Sequence, residues 1–183
     1  MPLNLPNILT TIRVVLIPLM VVVFYLPVSW SSFAAAVVFW FACITDYWDG
    51  YLARKMNLMT PFGAFLDPVA DKLIVVISLI LVVERDQTLW LTVPALVIVA
   101  REIIISALRE WMAELGKRAS VAVSMVGKVK TLLQMSSIGL LLAFSQDTWM
   151  GVLGLYSLYG AAILTIWSMV VYLKAAWPQL KEQ

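Results

Sequence analysis

Apolar segments long enough to cross a lipid bilayer follow one another along almost the whole chain. A hydrocarbon core about 30 Å thick needs roughly 20 mostly apolar residues for each helical crossing. Six such segments lie at about residues 8–27, 32–53, 62–83, 88–108, 123–145 and 150–173. The connections between them are short, so 183 residues leave no room for a separate soluble domain. The sequence predicts a single all-α membrane domain, residues 1–183, with six transmembrane helices.

Composition points to lipid as the solvent of most of this chain. Hydrophobic residues make up 62% of the sequence and charged residues 13%, and the mean hydropathy is +0.93. A water-soluble domain of this size could not cover so much apolar surface with so few polar groups. The composition therefore excludes an ordinary soluble enzyme.

The positive residues are divided unequally between the two ends of the predicted helices. If the chain crosses six times, twelve of the thirteen lysines and arginines fall on one side and only Arg85 falls on the other. Positive residues near helix ends are retained in the cytoplasm, so this division predicts cytoplasmic termini. An alternative with fewer crossings and an interfacial helix, at about residues 110–122 or in the first dozen residues, stays open.

Four aspartates lie within or beside two of the apolar segments. Asp46 and Asp49 come at the end of the second segment, and Asp67 and Asp71 come at the start of the third. Each pair is about one helical turn apart, so each pair shares a helix face. An aspartate at mid-membrane costs about 2.5–3.5 kcal/mol on insertion scales. Too few cations are interleaved to compensate four of them, so another partner is expected.

Two divalent cations would balance the four carboxylates in charge. Histidine is absent from the chain, which excludes His-ligated zinc and Ser-His-Asp catalysis and leaves an all-oxygen site for a hard cation. Two Mg²⁺ or Mn²⁺ ions fit best, because paired ions of this kind clamp phosphoryl oxygens during in-line displacement. The small residues Gly50, Ala53 and Gly63 would let a bulky ligand approach the backbone beside them.

Two other interpretations of the aspartates remain. They could cap helices or pair at the interface with Arg54, Lys55 and Lys72. They could also line an ion pathway, as acids in channels and carriers do, although no acidic series continues across the predicted membrane.

The start of the third helix can be drawn in two ways. Thr60 as N-cap with Pro61 at the first position gives one start and leaves Pro68 inside the helix, where it would kink it. A start at Asp67 places Pro68 at the first position instead. Asp67 and Asp71 remain neighbours in both cases.

The stretch from Asp46 to Asp71 reads D-x2-D-G-x2-A-R-x8-G-x3-D-x3-D. It resembles the signature of the CDP-alcohol phosphatidyltransferase family, with eight fixed residues matched over 26 positions. The resemblance implies the family's six-helix membrane fold and its reaction. In that reaction the phosphatidyl group of CDP-diacylglycerol passes to the hydroxyl of a small alcohol, and CMP is released. It also implies a homodimer.

The same resemblance implies roles for the motif's acidic residues. Asp46, Asp49 and Asp67 would hold the two metal ions. Asp71 would approach the metal site and also act as the general base, because an alcohol is a poor nucleophile until its proton is accepted.

The small and basic residues of the motif would bind the cytidine nucleotide. Gly50 and Ala53 would leave space for it, and Arg54 would hold the diphosphate through its forked donors. Without the motif, Arg54 would be an ordinary positive residue flanking a membrane helix.

Three further stretches indicate the acceptor alcohol. Residues 4–13 followed by Pro18, residues 100–102 and residues 127–131 resemble sequences in the bacterial members of the family that use glycerol 3-phosphate. The implied acceptor is sn-glycerol 3-phosphate, which gives phosphatidylglycerophosphate, in a bacterial inner membrane with the site on the cytoplasmic side. Membrane lipids are the expected surroundings, and no nucleic-acid partner is expected. A serine or inositol compound is the alternative acceptor, and an ion-coupled transporter is the alternative outside the family.

A dianionic acceptor phosphate entering a semi-buried cavity needs fixed positive partners. The basic candidates lie in or near the fourth and fifth segments: Arg101, Arg109, Lys128 and Lys130. The alternative for each of them singly is a side chain that reaches lipid headgroups.

The first segment adds three candidates for further ligand contacts: Asn7, Thr10 and Arg13. Asn7 could instead cap the first helix, and Arg13 could instead bind headgroups.

Overall fold

The computed structural model describes residues 5–56, 61–114 and 125–181, and their regular secondary structure is entirely α-helical. Six helices form there and no strand: α1 (Leu5–Phe24), α2 (Ser31–Met56), α3 (Pro61–Asp86), α4 (Leu89–Glu114), α5 (Met125–Ala143) and α6 (Trp149–Lys181). The prediction of an all-α chain with one helix in each apolar segment is confirmed.

Several helix boundaries differ from the predicted ones. Helices α4 and α6 continue to Glu114 and Lys181, past the apolar segments, because backbone hydrogen bonding does not stop where the apolar residues do. The described part of the first dozen residues belongs to α1, and residues 110–114 belong to α4, so neither described part is a separate interfacial helix. Residues 115–122 of that predicted alternative lie outside the described residues.

The start of α3 agrees with one of the two predicted starts. The helix begins at Pro61 and contains Pro68. The start at Asp67 is therefore wrong, and Thr60, the predicted N-cap, lies outside the described residues.

Every helix buries one stripe of its surface. On α1 the buried residues Ile17, Met20 and Phe24 recur at intervals of three and four, the spacing of one helix face. Stripes from all six helices merge into one hydrophobic core. Helix α5 packs closely on α6 and α1 on α2, while contacts between α2 and α5 join these pairs.

The outward faces of the bundle are apolar as well. Large apolar side chains are well exposed on all six helices, among them Val22, Phe33, Leu96 and Trp167. Soluble monomers rarely expose apolar patches larger than a few hundred Å². Two segments, Leu89–Glu114 and Trp149–Lys174, are long and apolar enough to cross a membrane, and the apolar stretches found on α1, α2 and α5 are shorter in the described part of the chain. Membrane association is indicated, and crossing by all six helices stays a prediction.

Arg85, the one positive residue predicted on the far side, has a structural role there. Its guanidinium donates hydrogen bonds to the carbonyl oxygens of Leu141, Leu142 and Phe144 at 2.7, 3.1 and 3.2 Å and pairs with Asp86 at 2.6 Å. The last carbonyls of a helix lack partners within that helix. Arg85 thus caps the C-terminus of α5.

Gly139 on α5 marks a close approach to α2. A Cβ atom added there would lie 2.4 Å from Nε1 of Trp40. We therefore expect Gly139→Ala to lower the melting temperature in detergent, since overpacking a core contact costs about 1–3 kcal/mol. Gly160→Ala is the matched control, because nothing lies within 4 Å of its added Cβ. Equal melting temperatures for the two variants would contradict this packing.

Candidate functional site

Buried polar residues gather at one end of the bundle. The amino-terminal halves of α1, α3 and α5 meet the carboxyl-terminal halves of α2, α4 and α6 there, as successive antiparallel helices require. The buried charged and hydroxyl side chains at this end include Thr10, Arg13, Arg101 and Lys130. This is the end that carries the aspartate motif.

Arg13 links the first three helices. Its side chain is 1% exposed, and its Nη2 and Nη1 atoms lie 3.0 Å from Oδ1 of Asp46 and 2.9 Å from Oδ1 of Asp71. The Nη1 contact is a charge-assisted hydrogen bond, a kind that is roughly twice as strong as a neutral one, and the Nη2 contact is an ion pair. One guanidinium from α1 therefore brings together an aspartate of α2 and an aspartate of α3.

Thr10 makes the parallel contact one turn earlier on α1. Its hydroxyl, buried like Arg13, donates to Oδ1 of Asp67 at 2.6 Å. Asp67 in turn lies one turn before Asp71 on α3. Two residues one turn apart on α1 thus bind two aspartates one turn apart on α3, which fixes the register of the two helices.

Three of the four predicted aspartates are therefore brought to one site. The side chains of Asp49, Gly50, Ala53 and Arg54 lie outside the described residues, so the predicted nucleotide contacts do too. Arg13 lies beside two of the carboxylates, but one guanidinium does not balance four of them, so the expectation that too few cations are interleaved stays a prediction. The interpretation of Arg13 as a headgroup ligand is wrong, because its side chain is 1% exposed and is paired with Asp46 and Asp71.

We call Asp46, Asp67 and Asp71, with Thr10 and Arg13, the carboxylate site. It is chemically suited to a hard divalent cation. Its donors are carboxylate and hydroxyl oxygens, the ligands that Mg²⁺ and Mn²⁺ prefer. The side chains of Asp46 and Asp71 are 45% and 44% exposed, so Arg13 covers one side of each carboxylate and leaves the other open. Among the described side chains, no three acidic residues form a complete metal-binding group by themselves, and Asp49 is not among these side chains.

A second polar cluster joins α4 to α5. One oxygen of Glu102, Oε1, accepts hydrogen bonds from Nη1 of Arg101 and from Nζ of Lys130, both at 3.0 Å. These side chains are 11% exposed for Arg101, 19% for Glu102 and 7% for Lys130. Arg101 also reaches α6, where its Nη2 lies 3.4 Å from the hydroxyl of Ser168. We call Arg101, Glu102 and Lys130 the ion triad.

Lys72 connects the two clusters. It follows Asp71 on α3, and its ammonium group donates to the hydroxyl of Ser106 on α4. Ser106 lies one turn beyond Glu102 on the same helix face. Lys72 was predicted as an interfacial partner of the aspartates, and the bond found for it among the described side chains is to this hydroxyl. The carboxylate site and the ion triad are therefore neighbours at the same end of the molecule.

Among the other predicted basic and polar candidates, Arg109 has a described side chain, and its described contacts lie outside both clusters. Arg109 is exposed, donates to the hydroxyl of Tyr172 at 2.9 Å and stacks 5.0 Å from the centre of that ring. The side chains of Lys128 and Asn7 lie outside the described residues. Asn7 is the third residue of α1 rather than its N-cap.

The sequence of the chain identifies the family to which this site belongs. The profile of the family described as CDP-alcohol phosphatidyltransferase matches residues 3–171. The chain belongs to this family. Two relatives, from Shigella flexneri serotype 5b (strain 8401) and Escherichia coli (strain K12), are each 56% identical to it over 183 residues, covering 100% of both chains. Each is named CDP-diacylglycerol--glycerol-3-phosphate 3-phosphatidyltransferase.

Sequence reasoning found the aspartates but missed three features around them. Glu102, Ser106 and the linking role of Lys72 were not predicted. Arg13 was named only as a minor contact, although its position carried a usable signal. It lies four and seven residues before Ile17 and Met20, on the stripe that continues into the core, and an arginine on such a stripe needs a buried partner.

Proposed function

We propose that this protein transfers the phosphatidyl group of CDP-diacylglycerol to sn-glycerol 3-phosphate, giving phosphatidylglycerophosphate and CMP. The observation that carries the proposal is the meeting of three motif aspartates beside a buried cluster of cations at one end of the bundle. The carboxylate site suits a metal-bound diphosphate, and the ion triad suits an anionic acceptor. Both relatives reported above bear the name of this reaction.

In this proposal the carboxylate site holds two Mg²⁺ or Mn²⁺ ions through Asp46, Asp49, Asp67 and Asp71. Such ions would supply charge neutralisation on the diphosphate of the donor. Arg13 and Thr10 contribute by orienting three of these carboxylates, so that the oxygens are held in position before a ligand arrives. The exposed sides of Asp46 and Asp71 are the sides available to a cation.

Asp71 accepts the proton of the attacking hydroxyl. The proposal needs a base at the junction of the two clusters, because the donor phosphorus and the acceptor alcohol must meet there. Asp71 is the aspartate next to Lys72, whose side chain turns toward α4 and the ion triad. The nucleotide would bind against Gly50, Ala53 and Arg54.

The acceptor phosphate binds to the cations of the ion triad. Arg101 and Lys130 both donate a hydrogen bond to Oε1 of Glu102, and a phosphate oxygen can take the position of that atom. Lys128, two residues before Lys130, is a further candidate. Arg109 has a lesser role in this proposal, because its guanidinium is occupied by Tyr172.

The protein crosses the inner membrane of a bacterium six times as a homodimer, with its termini and both clusters on the cytoplasmic side. The distribution of lysine and arginine supports this orientation, and the exposed apolar surface supports the membrane. An ion-coupled transporter is not favoured, since the core of the opposite half is built mainly from apolar residues such as Met20, Phe39 and Leu141.

The function is tested by following CMP release from CDP-diacylglycerol in detergent. Release should require both glycerol 3-phosphate and Mg²⁺ or Mn²⁺, and the lipid product should be phosphatidylglycerophosphate. Strict dependence on serine or on an inositol compound would assign another acceptor. Full activity after rigorous chelation, or ion flux without CMP release, would refute the proposal.

Lys130→Ala tests the acceptor site separately. We expect the apparent KM for glycerol 3-phosphate to rise by roughly tenfold, which corresponds to about 1.4 kcal/mol, while the KM for the lipid changes little. The expected cause is the loss of a charge-assisted bond to the acceptor phosphate. Lys174→Ala, at an exposed position on α6, is the control. An unchanged KM for both substrates would remove Lys130 from the acceptor site.

A further inference from the structure

Glu102 occupies the place in the ion triad that an acceptor phosphate would need. The cations Arg101 and Lys130 come from two helices, and both contact the same carboxylate oxygen at 3.0 Å. A single oxygen bridging an arginine and a lysine is also the arrangement in which a phosphate oxygen binds to such a pair. The carboxylate of Glu102 therefore makes the contact that an oxygen of the acceptor phosphate would make with these two cations.

Arg101 has hydrogen-bond donors that do not donate to Glu102. The whole residue Arg101 is 9% exposed. Its Nε atom is buried with no hydrogen-bond partner among the described residues. Its Nη2 atom has a long contact of 3.4 Å to Ser168. An arginine presents five donors in a fixed fork, and a buried donor without a partner is unfavourable. A phosphate in place of the carboxylate has more oxygens and could accept from these remaining donors as well.

Exposure shows where such an anion would enter. Glu102 is the most exposed of the three side chains, while Arg101 and Lys130 lie deeper. Glu102 thus covers the two cations on their accessible side. Its neighbour one turn along the helix is Ser106, which binds Lys72 beside the carboxylate site. The covered side of the triad therefore borders the place where the reaction would occur.

We infer that Glu102 is an internal counter-anion that holds Arg101 and Lys130 in position and is displaced from them when the acceptor phosphate binds. The inference rests on the proposed function, and it adds a specificity-determining residue that contacts the cations. Two buried cations without an anion would repel each other, so Glu102 keeps the empty site folded. A neutral hydroxyl compound cannot replace a carboxylate between two cations, whereas a phosphate dianion can.

Glu102→Gln tests this exchange because it keeps the shape of the side chain and removes its charge. Without added anion, the purified full-length variant should melt at a lower temperature than the wild type. Added glycerol 3-phosphate, and inorganic phosphate as the simplest probe, should raise its melting temperature more than that of the wild type. The apparent KM for glycerol 3-phosphate should fall by roughly fivefold, which corresponds to about 1 kcal/mol, since the competing carboxylate is gone.

Glu84→Gln is the matched control, because Glu84 lies at the end of α3 that is away from the carboxylate site and the ion triad. Among the described residues it accepts a hydrogen bond only from Tyr25. Its anion response and KM should equal those of the wild type. If Glu102→Gln cannot be purified, Glu102→Asp shortens the reach of the carboxylate and should shift both quantities in the same direction by less.

A higher KM in Glu102→Gln, or an anion response equal to that of the wild type, would overturn the inference and leave Glu102 as a fixed orienting group. These outcomes differ from a failure of the proposed function. In that case the wild type itself would release no CMP with glycerol 3-phosphate and would not be stabilised by it.

Discussion

Asp71→Asn is expected to reduce CMP release at least a hundredfold while leaving the melting temperature close to that of the wild type. The proposed general base contributes roughly 10²–10⁴ in rate, and asparagine cannot accept the proton. Asparagine has the same size, and its amide oxygen can still accept the hydrogen bond that Nη1 of Arg13 donates to Asp71. The helix packing around α1 and α3 should therefore survive the substitution.

Asp147→Asn is the control for this experiment. Asp147 is exposed between α5 and α6, at the end of the bundle away from the motif, so its substitution should change neither the rate nor the melting temperature. Raising the Mn²⁺ concentration separates two roles of Asp71. A rate restored by excess Mn²⁺ would mean that Asp71 acts only on the metal, and a wild-type rate in Asp71→Asn would refute the base assignment.

The fold was predictable from the sequence because lipid leaves few choices for the backbone. In a bilayer every backbone polar group needs an internal partner, so apolar segments of this length form helices. The apolar pattern predicted all six helices. It did not find their ends, since α4 and α6 continue beyond their apolar parts into charged turns whose hydrogen bonds the apolar pattern does not report.

The aspartates were predictable because a carboxylate in an apolar segment is costly unless it has a function. Arg13 was undervalued because its partners lie far away in sequence. Its bond to Asp71 joins residues 58 positions apart, and only the packing of α1 against α3 brings them together. A sequence without an alignment gives no measure of such pairings.

Glu102 was missed for a different physical reason. It directly follows Arg101, and adjacent residues on a helix point in different directions. Their side chains are long enough to curve toward each other, and Nη1 of Arg101 lies 3.0 Å from Oε1 of Glu102. Lys130, from the neighbouring helix, completes the cluster. The need of an acceptor phosphate for positive partners therefore predicted the cations and overlooked the anion between them.

Arg13→Gln is expected to destabilise the protein and to make its stability more dependent on divalent cations. Removing one partner of a buried ion pair typically costs about 3–5 kcal/mol. The loss here should be nearer 2–3 kcal/mol, because Asp46 and Asp71 are partly exposed and water screens them. The melting temperature in detergent should fall, and CMP release should fall with it, since two carboxylates lose the group that orients them.

Mn²⁺ distinguishes this role of Arg13 from simple packing. If Asp46 and Asp71 belong to a metal site, Mn²⁺ should replace the missing positive charge and raise the melting temperature of Arg13→Gln more than that of the wild type. Arg13→Lys keeps the charge without the forked donors and should be intermediate. Arg85→Gln is the matched control, because it removes an arginine that is paired with an aspartate at the opposite end of the bundle. It should lower the melting temperature without changing the response to Mn²⁺, and an equal response in Arg13→Gln and Arg85→Gln would mean that Arg13 stabilises the helices without serving a metal site.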